Sequence, residues 1–355
     1  MKTDADVPTL SVIVPAYRCA SMLDRCLQGL RASDIDRGAW QLIVVDDGSN
    51  DETATVAQNH GAHVVTVTDG PRGPAFARNH GVESANGDIV VFVDADVVVS
   101  PTALSQFSRL FRSSLDISAA FGSYDSAPDD AGFVSQYRNL LHHWIHHRDP
   151  GPASTFWAGC GAVRRSAFHA VQGFDADRYP RPQIEDVDLG YRLTDAGHRI
   201  VLDPRIQGTH LKRWTLRSML RADLYDRAIP WMQLLLSRPE TLGNGPLNLR
   251  RSEQVLTALV GLATMCVMIA LVLRTPDWLL VSAACLVVVI VANSPLFLWL
   301  SRVRGPAFAL RAIPLRLLFY FISGSGAVAV LVRCRRHGTR AHIRPWGDSH
   351  GTAAR

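Results

Sequence analysis

The chain has 355 residues, 47% of them hydrophobic, which is long enough for one full-sized catalytic domain and a smaller second part. Its formal net charge of +5 comes largely from arginines next to three long apolar runs, so the charge suits anionic lipid headgroups better than nucleic acid. The six cysteines include no C-x-x-C pair, which favours free thiols in a reduced compartment over a disulfide framework or a thiolate metal site.

Four short runs of apolar, mostly β-branched residues alternate with helix-like stretches in the first 100 residues. They occupy residues 10–14, 42–45, 64–67 and 89–93. Such runs are typical of strands buried on both faces, so we predict an α/β fold with a Rossmann-like, mostly parallel sheet. Ligands of these sheets bind beyond the carboxyl ends of the strands, where this chain has Pro15, Ala16, Tyr17, Asp46, Asp47, Asp94, Ala95 and Asp96.

Two acidic residues, Asp94 and Asp96, directly follow the fourth predicted strand. Carboxylates this close at a buried strand end repel each other unless a cation lies between them, and oxygen ligands favour Mg²⁺ or Mn²⁺. Such a metal would bridge the two phosphates of a nucleotide sugar and neutralise charge on the leaving group. A solvated strand end is the alternative for this triplet taken alone.

A second acidic pair, Asp46 and Asp47, ends the second predicted strand and precedes residues 48–50. A turn and a helix cap explain the glycine, serine and asparagine at those three positions. The acidic pair needs another explanation, and one of its carboxylates could accept hydrogen bonds from a base or a ribose.

The region of residues 101–237 is mixed in character, and we expect it to complete the site and bind the acceptor. Residues 142–147 contain two histidine pairs at i and i+4, a spacing that can bind zinc on a helix. No acidic third ligand lies nearby, so we favour an amphipathic helix beside an acceptor channel or the membrane surface. We expect a linker at residues 238–252, a membrane region at 253–335 and a basic tail at 336–355.

Three apolar runs cover residues 254–273, 278–300 and 312–332. Each approaches the roughly 20 residues that a helix needs to cross a bilayer, so they predict about three membrane helices. The third run carries Arg316 and a Gly-Ser-Gly segment at residues 324–326, and we expect it to be interfacial or re-entrant if any of the three is.

The charges around these runs favour a cytoplasmic catalytic domain in a multi-pass protein of the cell membrane. The first eight residues are polar and do not resemble a secretory signal. Arg250 and Arg251 precede the first run, and Arg302, Arg304 and Arg311 separate the second from the third. The basic tail conflicts with three full crossings, because it would then lie outside.

Several of these segments together resemble the family 2 glycosyltransferases of GT-A fold. Residues 11–17 (SVIVPAY), 44–49 (VVDDGS) and 94–96 (DAD) match that family in order and spacing. Residues 73–81 (GPAFARNHG) look like its Gly-x-x-x-Ala-Arg-Asn helix, and residues 184–193 (IEDVDLGYRL) like its Glu-Asp-x-Asp-Leu helix. The resemblance implies a metal-dependent, inverting enzyme that uses a nucleotide-diphosphate sugar.

The resemblance also implies roles for individual residues. Asp186 is the expected catalytic base, with Glu185 beside it as a second catalytic candidate, because inversion needs a carboxylate that takes the acceptor's proton. An acidic first helical turn that complements the helix dipole is the alternative for Glu185. Residues expected to bind the nucleotide or the substrates are Pro15, Ala16, Tyr17, Asp47, Arg78, Asp94, Ala95, Arg213 and Trp214.

His210 lies where similar enzymes often hold a histidine near the metal or the diphosphate. We therefore expect Asp94, Asp96 and His210 to form the Mg²⁺ or Mn²⁺ site. Arg213 and Trp214 follow it and are candidates for holding phosphates or for meeting lipid headgroups. Processive synthases of the family carry Gln-x-x-Arg-Trp here, and the missing glutamine argues against a polymer-extruding enzyme.

Two other functions compete with a transferase as explanations of this sequence. A nucleotidyltransferase would show a glycine-rich phosphate loop after the first strand, which residues 15–18 do not form. A degenerate, transferase-like scaffold or sugar sensor would be expected to lack Asp94, Asp96 or Asp186, and all three are present. The apolar runs favour a lipid or lipid-linked acceptor. The sugar stays open, and the nucleotide stays open between uridine diphosphate and guanosine diphosphate.

Overall fold

The computed structural model describes residues 9–238 and 250–337. The chain divides into two compact units, Met1–Trp214 and Thr215–Arg355. The helical unit therefore begins inside the stretch predicted as the acceptor-binding half. Most of the predicted linker, nearly all of the predicted basic tail and the first eight residues lie outside the described part of the chain.

Within the described residues, one nine-stranded mixed sheet forms the centre of the first unit. The order across the sheet is β3-β2-β1-β4-β8-β6-β9-β5, and β7 pairs with β9. In chain order the strands are β1 (Leu10–Ala16), β2 (Trp40–Asp46), β3 (His63–Thr66), β4 (Ile89–Val93), β5 (Val97–Val99), β6 (Ile117–Tyr124), β7 (Gly151–Ala153), β8 (Cys160–Arg164) and β9 (Arg199–His210).

The first four strands are parallel to one another, as their apolar runs predicted. Beyond them β6 and β9 are also parallel, whereas β8, β5 and β7 run antiparallel to the strands beside them. The sheet is thus parallel in its first half and mixed in its second. This is a GT-A-like α/β fold.

Helices cover both faces of this sheet. They are α1 (Ala20–Arg31), α2 (Thr53–Asn59), α3 (Pro74–Glu83), α4 (Ala103–Ser113), α5 (Phe133–Arg148), α6 (Arg165–Ala170) and α7 (Glu185–Asp195). Side chains alternate between faces along a strand, so Val12 packs in the same core as Leu27 and Phe107, whereas Ile13 belongs to the core of Phe168. Burial on both faces explains why the strands read as continuous apolar runs.

Two strand registers bring distant segments to the carboxyl edge of the sheet. In the antiparallel pair β5–β9, Val97 lies opposite His210, which places that histidine next to Asp96. In the pair β4–β8, Val93 lies opposite Cys160, and the amide of Asp94 donates to the carbonyl of Gly159 at 3.2 Å. The ends of β5, β8 and β9 therefore meet around the predicted Asp-x-Asp segment.

The elements of the second unit within its described residues are all helices. Its elements are α8 (Leu216–Arg221), a π-helical segment (Ala222–Ala228), α9 (Ile229–Leu236), α10 (Arg251–Leu273), α11 (Asp277–Ala292), α12 (Ser294–Arg304) and α13 (Pro306–His337). Two of these helices, α10 and α13, are long and apolar enough to cross a membrane. The pair α11 and α12 passes the same test together but is bent by 59°.

The interrupted run is therefore the second and not the third, which corrects the expectation from the sequence. The Gly-Ser-Gly segment lies inside the continuous helix α13. Arg316 is accommodated there because its guanidinium donates to Asn293 at 2.8 Å, to Glu253 at 2.9 Å and to Tyr320 at 2.8 Å. Charges inside membrane segments need such partners.

Candidate active site

Arg78 on α3 connects two carboxylates that are distant in sequence. One terminal nitrogen lies 2.6 Å from Asp94 Oδ1 and the other lies 3.0 Å from Glu185 Oε1. The arginine is 4% exposed. Burial lowers the pKa of Arg78, but the charges of Asp94 and Glu185 outweigh burial and raise it above its ordinary value. The side chain is thus a fixed positive charge at the carboxyl edge of the sheet.

Asp94 therefore does not join Asp96 and His210 in a preassembled triad. Within residues 9–238 and 250–337, no group of three or more His, Cys, Asp or Glu side chains is arranged to hold a metal. Tertiary structure brings a permanent cation to Asp94, which relieves the repulsion that the sequence assigned to a metal alone. The ligand set Asp94, Asp96 and His210 stays a prediction, with Asp94 also bound to Arg78 in this structure.

Asp96 and His210 face each other across the β5–β9 pairing. His210 Nε2 lies 3.4 Å from Asp96 Oδ2, and His210 Nδ1 lies 2.7 Å from Asn139 Oδ1. Burial raises the pKa of Asp96, but the hydrogen bond and charge of His210 together with the charge of Lys212 outweigh burial and leave the pKa below its ordinary value. One carboxylate and one imidazole fit Mn²⁺ when a bound diphosphate supplies further oxygen ligands.

Asp186 lies in the first turn of α7 and is held by two backbone amides. Ala158 N donates to Asp186 Oδ2 at 3.2 Å, and Val187 N donates to Oδ1 at 2.8 Å. Burial and the neighbouring charge of Glu185 raise the pKa of Asp186 to about 7, although Arg78 opposes the shift. A carboxylate with a pKa near neutrality suits a general base.

The close packing of α7 explains how Ala158 reaches this carboxylate. A Cβ added at Gly190 would lie 2.3 Å from Phe156 N and 2.5 Å from the carbonyl carbon of Thr155. Only glycine leaves room for the backbone that leads into β8 to lie against α7. The glycine of the Glu-Asp-x-Asp-Leu-Gly segment thus has a packing function that its motif did not reveal.

Glu185 has the geometry of a support for this centre. It is 5% exposed, binds Arg78 through Oε1 and accepts from Gln183 N through Oε2 at 2.8 Å. Its Oε1 thus pairs with a guanidinium cation, whereas the two oxygens of Asp186 accept from neutral backbone amides.

The predicted nucleotide-binding residues at the carboxyl ends of β1, β2 and β4 also lie at this edge. Tyr17 is exposed, whereas Pro15, Ala16 and Ala95 contribute backbone shape and packing. Asp47 accepts from Arg72 N at 2.8 Å and from Gly73 N at 2.7 Å, so its carboxylate fixes the loop before α3. Asp46 accepts from Ser49 N at 3.0 Å.

Arg213 and Trp214 follow β9 in different environments. The Arg213 side chain is 81% exposed and lies 3.9 Å from Asp130. Trp214 is held by its backbone, because its amide donates to Ser135 Oγ at 2.7 Å. Lys212 and Arg138 lie over its indole ring, 4.6 Å and 5.0 Å from the centroid.

Two imidazoles of the histidine-rich helix α5 pack against strand β6, and the expected place of this helix beside an acceptor channel or the membrane surface stays a prediction. His143 and His146 lie 2.9 Å and 3.0 Å from the carbonyls of Tyr124 and Gly122. Burial lowers the pKa of His146 to about 4 and that of His142 well below its ordinary value. Both rings are neutral components of the core at physiological pH.

Sequence reasoning missed three residues beside the site. Tyr124 stacks on His210 with ring centroids 4.5 Å apart and also contacts Trp157 at 4.8 Å. Asn139 binds His210, and Trp157 precedes the amide that holds Asp186. None belongs to a motif with a spacing rule.

Comparisons with known proteins match parts of this chain to glycosyltransferases. Residues 11–172 match the family model described as glycosyl transferase family 2. A dolichyl-phosphate beta-glucosyltransferase of Drosophila melanogaster is 36% identical over 157 residues, which are 39% of this chain and 47% of that protein. Glycosyltransferase AglE of Haloferax volcanii is 31% identical over 94 residues, 25% of this chain and 31% of that protein. The chain thus matches less than half the length of each relative.

Two solved structures share the fold over most of the chain. Mannosyltransferase PcManGT from Pyrobaculum calidifontis, in complex with GDP-Man and Mn²⁺, has a TM-score of 0.55 at 21% identity and covers 91% of this chain and 87% of its own. S. aureus TarS 1-349 with UDP-GlcNAc has a TM-score of 0.50 at 16% identity and covers 92% of each chain. Motif order, family match and fold agree, and residues 11–172 of this chain are similar to glycosyl transferase family 2.

Proposed function

We propose that this chain transfers a sugar from a nucleotide-diphosphate sugar to a lipid or lipid-linked acceptor, with inversion at the anomeric carbon and Asp186 as general base. One observation carries the proposal above all. The carboxylate of Asp186 has a pKa of about 7 and lies in the same charged cluster as Arg78, Glu185 and Asp94. A carboxylate with this pKa beside the expected donor site supports the assignment of Asp186 as the base.

The chemistry assigned to Asp186 is removal of one proton. In a single displacement, the acceptor oxygen attacks the anomeric carbon from the face opposite the leaving nucleotide, which inverts the configuration. A hydroxyl nucleophile must lose its proton during this step. The amides of Ala158 and Val187 hold the carboxylate in one orientation, and Glu185 raises its basicity.

Donor binding is assigned to the carboxyl edge of the parallel strands. Asp96 and His210 would hold a divalent cation, which supplies charge neutralisation on the diphosphate leaving group. Tyr17 offers an exposed ring near the end of β1, where a nucleotide base could stack. GDP-Man and Mn²⁺ in PcManGT and UDP-GlcNAc in TarS support a nucleotide-sugar donor without choosing between the two bases.

The lipid acceptor is inferred from the second unit. Helices α10 and α13 can cross a membrane, and the bent pair α11 and α12 would add a broken span or a re-entrant loop. The match to a dolichyl-phosphate glucosyltransferase supports a lipid-linked acceptor. Arginines before α10 and at the end of α12 favour a multi-pass protein with its catalytic domain in the cytoplasm.

The direct test is a panel of labelled nucleotide sugars. The detergent-solubilised chain is incubated with each donor, Mn²⁺ or Mg²⁺ and a total lipid extract, and label in the organic phase is counted. Cation-dependent label from one donor is the expected result. Transfer only to water-soluble acceptors would contradict the lipid assignment while retaining the transferase.

A further inference from the structure

One face of α5 fixes the segment that follows β9. Ser135 and Asn139 lie four residues apart on this helix and therefore project from the same side. Ser135 Oγ accepts from Trp214 N at 2.7 Å, and Asn139 Oδ1 lies 2.7 Å from His210 Nδ1. Two separate side chains of one helix thus hold the two ends of residues 210–214.

The contact with Asn139 determines which nitrogen of His210 carries a proton. The amide oxygen faces the ring and is only an acceptor, so His210 Nδ1 is the donor in this hydrogen bond. The other ring nitrogen, Nε2, faces Asp96 Oδ2 at 3.4 Å.

The surroundings prevent water or a ring flip from replacing this contact. Asn139 is 1% exposed and His210 is 5% exposed. The ring of Tyr124 lies nearly parallel to the imidazole, at an interplanar angle of 17°. The imidazole is therefore held in one plane with Nε2 directed at Asp96.

We propose that Asn139 is a positioning residue that keeps the proton of His210 on Nδ1, so that Nε2 and Asp96 together ligate the divalent cation of the donor complex. This inference rests on the proposed function, because the cation is the one that accompanies the nucleotide diphosphate. A buried hydrogen-bond partner on the second ring nitrogen is the usual means of orienting a metal-binding histidine.

The test is pulsed electron paramagnetic resonance on the full-length solubilised protein with Mn²⁺ and GDP or UDP. A coordinated imidazole gives a ¹⁴N modulation on Mn²⁺. We expect this signal in the wild type and its loss in His210→Ala. Asn139→Leu should lose or weaken it and lower Mn²⁺ affinity about 10- to 100-fold. Asn139→Asp retains oxygen acceptors and should keep the signal.

Ser135→Ala is the matched control, because it lies on the same face of α5 and releases Trp214 without touching His210. It should keep the nitrogen signal and the Mn²⁺ affinity. If Asn139→Leu does not fold, Asn139→Asp still decides the matter. Loss of the signal in that folded variant would mean that the amide nitrogen faces the ring, and would overturn the inference.

The outcomes separate this inference from the proposed function. Mn²⁺ bound without a ¹⁴N signal in an active wild type would overturn the inference alone. An unchanged signal in Asn139→Leu would also overturn it. A wild type that shows the expected signals but transfers no sugar would support the inference and contradict the proposed reaction.

Discussion

Arg78 and Glu185 are 107 residues apart in sequence, and their side chains form a buried ion pair at 3.0 Å. The same guanidinium binds Asp94 at 2.6 Å. This arrangement joins the donor side of the site to the helix turn that carries Asp186. A single buried arginine thereby compensates two carboxylates and moderates the pKa of a third.

Removing this charge should destabilise the first unit. Arg78→Met leaves Glu185 and Asp94 without their cation, and breaking a buried pair in this way costs about 3–5 kcal/mol. Thermal unfolding of the purified variant would measure the loss. Arg78→Lys is the control, since it retains the charge but makes fewer hydrogen bonds, and it should lose less. Equal melting temperatures for wild type and Arg78→Met would contradict this assignment.

The transfer rate should rise with pH through about 7, because Asp186 acts as a base only when ionised. The measurement is kcat/KM against pH for an acceptor with a hydroxyl nucleophile. Arg78→Lys should leave the rise near the same pH, and any folded Arg78→Met protein should show it at a higher pH. A profile that is flat from about pH 5.5 to 8.5 would exclude Asp186 as the titrating base.

The acceptor can be distinguished by its nucleophile. A phosphate monoester has its second pKa near 6 and is mostly ionised at neutral pH, so its oxygen needs no proton removed. Asp186→Asn should therefore reduce transfer to hydroxyl acceptors more than transfer to polyprenyl phosphate. Parallel assays with both acceptor classes provide the comparison. Equal losses with the two classes would mean that Asp186 does more than accept a proton.

The same carboxylate has a predicted effect on stability. A raised folded-state pKa means that the neutral form is favoured, so this contribution to stability is full at low pH and is lost as pH rises toward and through about 7. The melting temperature of Asp186→Asn relative to wild type should thus increase from pH 5 to pH 8. Differential scanning fluorimetry across this range measures it. A difference that is constant with pH would contradict the raised pKa.

The first half of the fold could be predicted because strands that are buried on both faces have continuous apolar sequences. The four parallel strands and the residues at their ends follow from continuous apolar runs and from motif order. The pairing of β5 with β9 could not be predicted, because a three-residue strand has too few side chains to show a pattern of apolar residues. That pairing sets His210 beside Asp96.

The partners of the charged residues also could not be predicted from the sequence. The sequence predicts Asp94 as a metal ligand, and in the structure its carboxylate forms an ion pair with Arg78. In the sequence, Arg316 is unfavourable for a membrane helix. In the structure, Glu253 neutralises its charge and Asn293 accepts a hydrogen bond from it. In each case the partner is close in space but distant in sequence, so the spacing of residues along the chain does not predict it.

The membrane unit offers an independent prediction from this polar cluster. Arg316→Leu leaves the Glu253 carboxylate without its cation and should destabilise the helical unit, whereas Glu253→Gln combined with Arg316→Gln should be milder because no charge is left unpaired. Thermal unfolding in detergent compares them. Tyr320→Phe, which removes one hydroxyl that binds both partners, is the smaller perturbation. A single variant as stable as the wild type would show that the pair contributes nothing.

The most direct test compares wild type and Asp186→Asn in one assay of transfer and one of donor binding. With the donor identified by the panel, Mn²⁺ and a hydroxyl acceptor, Asp186→Asn should lose about 10²- to 10⁴-fold in kcat. Its donor affinity should be unchanged, and nuclear magnetic resonance of the wild-type product should show the inverted anomer. An Asp186→Asn protein that transfers at the wild-type rate would contradict the central claim.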